Sequence, residues 1–135
     1  MKIEWTETLS VGVTAIDSEH RELFNKIGTL VDAMQAGKGA EEITYSLKFL
    51  DEYIETHFTH EENFIDEYYY PGGTTHKLEH DKFRKLFKEI KERLKAEGPS
   101  KNLSIQTSSF LGQWWIDHIN KVDRELGAFL QKKLP

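Results

Sequence analysis

Five of the chain's six histidines, His20, His57, His76, His80 and His118, fall in register with apolar residues spaced three and four apart. Two carboxylates, Glu61 and Asp123, follow His57 and His118 at about one helical turn. On helices such spacings carry imidazole and carboxylate onto the apolar face, so the seven side chains meet wherever those faces share a core. Burying one such group without a partner costs several kcal/mol, against a net stability of about 5–15 kcal/mol for a whole domain. Separately hydrogen-bonded core histidines would each need a buried partner, and few other polar residues lie on the stripes. The pattern points to metal held inside the fold.

His57 with Glu61, and His76 with His80, stand four residues apart, which makes each pair a two-point chelate on one helix face. Asp123 follows His118 by five, about 140° around an ideal helix. Three readings of Asp123 stand: a π-bulge brings it round, it straddles the core opposite His118, or it is a surface carboxylate. One of the first two is expected, because such bulges recur at functional sites. Five imidazoles and two carboxylates exceed the four ligands of tetrahedral zinc and suit two ions sharing carboxylates. Ligand type alone leaves iron, manganese, zinc and copper open. The chain has no cysteine, so thiolate sites and the usual iron–sulfur ligation are excluded. No glutamate stands three residues before a histidine, as ferritin-like di-iron bundles require, and the His-Glu-x-x-His order of zinc proteases is missing.

Four helical periods must position these residues. The first is expected to start at a cap on Asp17 or Ser18, carry Leu23, Phe24, Ile27, Leu30, Val31 and Met34 inward with His20, and end at Gly37-Lys38-Gly39. The second runs from about Glu41 to Tyr68 with Ile43, Leu47, Leu50, Ile54, Phe58 and Ile65 on its stripe. Pro71-Gly72-Gly73 forces a turn, after which Thr74 or Thr75 caps a third helix bearing Phe83, Phe87, Ile90 and Leu94. Gly98-Pro99 breaks the chain again, and Ser100 caps a fourth helix with Leu103, Leu111, Trp114, Val122, Leu126, Phe129 and Leu130 inward. Residues 1–16 read as an N-terminal arm anchored by Trp5, Leu9, Val11, Val13 and Ile16. Short connections favour antiparallel neighbours, giving an all-α, up-down-up-down four-helix bundle over residues 17–134 in one domain, 1–135. Tyr68-Tyr69-Tyr70 is expected to close one end, and His60, off the stripe, to face solvent.

At 135 residues the chain is long enough for one sizeable core. Eighteen Lys and Arg against 23 Asp and Glu give a formal charge of −5, with no basic field for nucleic acid. No apolar run approaches the ~20 residues of a membrane span, and residues 1–7 lack the basic flank and apolar stretch of an export signal. The expectation is a cytoplasmic monomer without membrane insertion; a delivery or redox partner is not legible.

The sequence resembles the hemerythrins, in their single-domain bacterial and archaeal form, over essentially its whole length. The resemblance rests on Trp5 with Leu9-Ser10-Val11-Gly12, Ile16-Asp17-Ser18-Glu19-His20, His57-Phe58-Thr59-His60-Glu61-Glu62, Tyr70-Pro71 with His76 and His80, and Trp114-Trp115-Ile116-Asp117-His118-Ile119 with Asp123. It implies two iron ions, cycling between Fe2+ and Fe3+: one held by His76, His80 and His118, the other by His20 and His57. Glu61, Asp123 and an oxo or hydroxo oxygen would bridge them. The second iron is then one ligand short, and O₂ binds reversibly at that place, which is binding and not enzymatic turnover. Such a site needs a dry pocket, for which Phe58, Trp114, Trp115 and Ile119 are the candidate walls.

Trp115 departs from the smaller aliphatic residue usual in the family, and an indole there would narrow the pocket. The leading expectation is oxygen storage, delivery or buffering. An O₂ or redox sensor and a peroxide- or nitric oxide-handling di-iron enzyme are the alternatives, and iron storage lacks a cage-forming signature.

Overall fold

The computed structural model describes residues 3–135, so Met1 and Lys2 of the expected arm lie outside it. Four long helices form: α1 (Thr14–Gln35), α2 (Ala40–Glu67), α3 (Gly73–Glu97) and α4 (Lys101–His118). A π-helical turn, Ile119–Asp123, joins α4 to α5 (Arg124–Gln131), which continues the fourth rod. The described residues contain no strand. Helix α1 packs on α2, α2 on α3, α3 on α4, and α4 back on α1, so short connections close an up-down-up-down four-helix bundle.

The stripes bury largely as their spacing dictates. Leu23, Phe24, Ile27 and Leu30 of α1 meet Leu50, Ile54 and Phe58 of α2, Phe83 and Phe87 of α3, and Leu103 and Leu111 of α4 in one core. Leu47, Ile90, Val122 and Phe129 are only half-buried at its margin. On α4 the inward residue is Trp115, fully enclosed, while Trp114 is half-buried; the stripe lies one residue further along than the spacing suggested. Ser104, Thr107 and Ser108 share that inward face with Leu103 and Leu111. The only helix start with a side-chain cap among α1–α4 is that of α4, where Ser100 Oγ accepts from Leu103 N–H at 3.0 Å.

Three local expectations are corrected. Helix α1 starts three residues before Asp17, with Val13 at its cap. The Asp17 carboxylate instead accepts from the Ser10 hydroxyl and from Val11 N–H at 2.9 Å, stapling the arm to the first turn of α1. Neither Thr74 nor Thr75 caps α3, which begins at Gly73 behind Gly72. Tyr68 and Tyr70 pack against the core, Tyr70 on Phe129 with ring centres 5.0 Å apart, but Tyr69 sits at φ +52° and is 88% exposed. The turn before Pro71 throws it outward.

The arm lies along the fourth rod. Leu9, Val11 and Val13 are buried, and Arg124 reaches back to the carbonyls of Thr8 (2.8 Å) and Ser10 (3.4 Å). Gly127 is what lets it approach: a Cβ there would stand 2.1 Å from the Val11 carbonyl oxygen.

Candidate metal centre

All four rods contribute to one buried cluster: His20 from α1, His57 and Glu61 from α2, His76 and His80 from α3, His118 from α4 and Asp123 from the π-turn. Each of the seven is at most 3% exposed. The π-turn accounts for Asp123. Arg124 N–H bonds to Ile119 O five residues back, and this extra residue per turn swings Asp123 onto the face that His118 occupies. A plain α-helix would have turned it away, so the first of the three readings is the one the structure adopts.

The seven side chains sort themselves. Glu61 Oε1 lies 3.4 Å from His76 Nε2 and 3.1 Å from His80 Nε2, and its Oε2 lies 3.4 Å from His57 Nε2 and 3.8 Å from His20 Nε2. Asp123 Oδ1 is 3.1 Å from Nε2 of both His76 and His118, and Oδ2 is 3.1 Å from His20 Nε2. Nε2 atoms of His20 and His57 stand 3.1 Å apart. The imidazoles thus form a trio and a pair, and each carboxylate turns one oxygen to each. Ligands about 2.1 Å from a shared ion and at right angles stand about 3.0 Å from one another, close to the 3.1 Å of His20, His76, His80 and His118 to their nearest carboxylate oxygen.

The donor set fits metal on a second count. Glu61 Oε2, both Asp123 oxygens and His118 Nε2 are buried without a hydrogen-bond partner despite these approaches. The short N···O spacings at His118 therefore lack hydrogen-bond alignment. Atoms that crowd together without bonding one another are arranged as if around something between them.

Protons divide unevenly over the ion-free cluster. Burial, reinforced by the Asp123 charge, pushes the Glu61 carboxyl up to about 7 against the pull of His57 and His76. Burial also acts to raise Asp123, but His118 and the contacts of His20 and His76 outweigh it and hold Asp123 well below 3.8. Burial opposes a charge on His76, yet Asp123 and Glu61 hold its proton and raise it to about 10. Burial and the cationic neighbours His76 and His118 push His80 far down from 6.5. Two cations bound between these groups would take over the role of the protons.

Two acids outside the expected site orient its imidazoles. His57 Nδ1–H donates to Glu19 Oε1 and His80 Nδ1–H to Glu62 Oε2, each at 2.7 Å, leaving both Nε2 lone pairs facing the cluster. Burial acts to raise Glu19, but His57 and His60 hold it below 4.5. Arg84 braces Glu62 at 3.4 Å, is itself held by Glu55 (2.9 Å) and Asp81 (2.8 Å), and lies 5.0 Å over the Phe58 ring. The side chain of His60 is 50% exposed, as its position off the stripe implied, but its Nδ1–H donates to Glu19, so it touches the cluster through one carboxylate.

Aromatic rings wall the cluster. Phe58 stacks on His80 with centres 3.8 Å apart, and the half-buried Trp114 stacks on His118 at 4.5 Å. Trp115 lies 5.9 Å from His57 and 6.5 Å from His20, stacked on Phe58 at 5.5 Å. Ile119 is fully buried at the head of the π-turn.

Residues 11–130 match the family model of the hemerythrin HHE cation-binding domain. The chain belongs to the hemerythrin family. Among its relatives, the bacteriohemerythrin of Clostridium acetobutylicum is 33% identical over 125 residues, covering 90% of this chain and 95% of that protein. The bacteriohemerythrin of Methylococcus capsulatus is 29% identical over 127 residues, covering 93% and 95%. A crystal structure of wild-type hemerythrin superposes with a TM-score of 0.84 at 28% identity, covering 95% of this chain and 97% of that one. Hemerythrins bind a di-iron centre, and this hemerythrin has a His/Glu/Asp cluster able to hold metal. None of its described helices is long and apolar enough to cross a membrane.

Proposed function

We propose that this hemerythrin binds O₂ reversibly at two irons, in storage, delivery or buffering of oxygen. His76, His80 and His118 would hold one ion and His20 and His57 the other, with Glu61 and Asp123 offering an oxygen to each group. The observation that carries the reading is the three-to-two division of imidazoles around two carboxylates that each face both groups. Equal division would leave two like ions, whereas this one leaves the His20–His57 side one donor short and open to a small ligand. Iron bound there in the ferrous state would supply the electrons needed to bind O₂.

The chain's own residues do the rest. Glu19 and Glu62 fix the tautomers of His57 and His80, so two of the five donors arrive pre-oriented. Trp115 beside His20 and His57, with Phe58 next to His57, keeps water from the open side, Ile119 is fully buried at the head of the π-turn, and Trp114 shields the outer face of His118. Reduced protein loaded anaerobically is expected to hold two irons per chain and to gain in air a visible band that vanishes under argon, over many cycles. Fewer than two irons, or a single irreversible oxidation, overturns the reading.

A further inference from the structure

Trp115 is 0% exposed, yet its indole Nε1–H has no acceptor. A buried indole N–H usually finds a partner, and leaving the donor of a fully enclosed ring without one is destabilising. Nothing in the packing of the bundle requires that cost, since a leucine or phenylalanine fills a helix core without a donor to satisfy. The ring's aromatic neighbours are Phe58, Phe83 (5.4 Å between centres) and Trp114 (5.0 Å), which offer no acceptor, and the imidazoles of His57, His20 and His118 (5.8 Å). The Nε2 atoms of these imidazoles face Glu61, Asp123 and one another, His57 Nδ1–H donates to Glu19, and the outward Nδ1 atoms of His20 and His118, which carry the proton when Nε2 takes a metal, offer no lone pair. The acceptor for Trp115 therefore has to come from outside the chain.

We infer that the Trp115 indole N–H is the hydrogen-bond donor to the exogenous ligand held on the His20–His57 side, so that this side chain sets ligand retention as well as pocket size. The inference rests on the proposed di-iron reading and deepens it. The class of ligand is a small one with a lone pair turned away from the metal: bound O₂, or a compact anion such as azide. A donor placed there stabilises negative charge that builds on the ligand's outer atom, and does so in a water-excluded site where one hydrogen bond counts for more than in solvent. Bulk and hydrogen bonding act on different rates. A ring that only narrows the entrance slows entry and exit alike, whereas a donor slows exit alone.

Azide binding to the oxidised, iron-loaded protein separates these. Trp115→Phe keeps an aromatic ring and removes the donor; it is expected to weaken azide about tenfold, with the loss in the dissociation rate and the association rate within about twofold. In the native protein the vibrational band of bound azide is expected to shift in D₂O, and in Trp115→Phe that shift disappears. An unchanged azide affinity, or a D₂O shift that survives in Trp115→Phe, overturns the inference. Absence of the shift in the native protein overturns it as well, without recourse to a variant. Failure of the native protein to take up two irons removes the di-iron reading itself, and this inference with it.

Discussion

Glu62 meets only the outer nitrogen of His80, yet it decides which nitrogen of that ring carries the proton. With Nδ1–H committed to a carboxylate, His80 has a lone pair on Nε2 and one ring orientation. Glu62→Ala is expected to lower iron affinity by about 10–100-fold, read by competition with a chelator, with the fold intact by circular dichroism. Six of the seven inward groups were legible in the sequence because each shares a period with aliphatic residues whose burial is not in doubt; Asp123, five residues past His118, stands off that period and is brought in by the π-turn. Glu19 and Glu62 were not legible, because each sits at the edge of the stripe among ordinary surface acids, where spacing alone cannot separate a brace from a solvated carboxylate. Their only signal is adjacency to an inward ligand, Glu19 to His20 and Glu62 to Glu61. Trp114, expected inward, falls to the margin for a related reason: adjacent residues differ by 100° on a helix, and here Trp115, already a candidate wall, takes the core-facing place.

At the scale of elements, the fourth rod carries the least regular part of the chain and the most consequential. Its five-residue π-turn positions Asp123, and the residue that follows, Arg124, holds the arm by the carbonyls of Thr8 and Ser10. One turn on, Gly127 gives the arm room to lie flat. Gly127→Ala places a methyl group against the Val11 carbonyl, and the arm must lift or α5 must tilt. A destabilisation of about 1–3 kcal/mol is expected, seen as a lower urea midpoint and faster amide exchange in residues 9–13. Helix number, order and breaks were readable from period and from Pro and Gly. The π-turn was foreseen only through the five-residue gap between His118 and Asp123, and the start of α1 was not foreseen, because Asp17 has the chemistry of a cap while serving the arm instead.

For the molecule as a whole, the same interior that favours a bundle opposes its ligands. Iron-free protein keeps five imidazoles and two carboxylates out of water with only shared protons to compensate them. It is expected to melt well below the loaded form, and equal melting temperatures contradict the proposed ligand set. The difference depends on pH in a definite direction. His76, raised from 6.5 to about 10 without metal, contributes stability that is complete below 6.5 and is lost as pH climbs through about 10. Ion-free protein therefore loosens across that interval, while protein whose His76 holds an ion instead of a proton does not; calorimetry of both forms from pH 6 to 10 checks this. Solubility is served by the net charge of −5, which leaves the surface without a basic field.

Glu61 and Asp123 each face both groups of imidazoles, and that sharing bears on supply. With ligands as proposed, a first ion would fix both carboxylates and side chains from three of the four rods, so a second would find its seat already held. Removing either ion strands an oxygen of each acid in a dry interior. Partial occupancy is thus the least comfortable condition for any one molecule, and a population short of iron divides into furnished and vacant chains instead of spreading the shortage evenly.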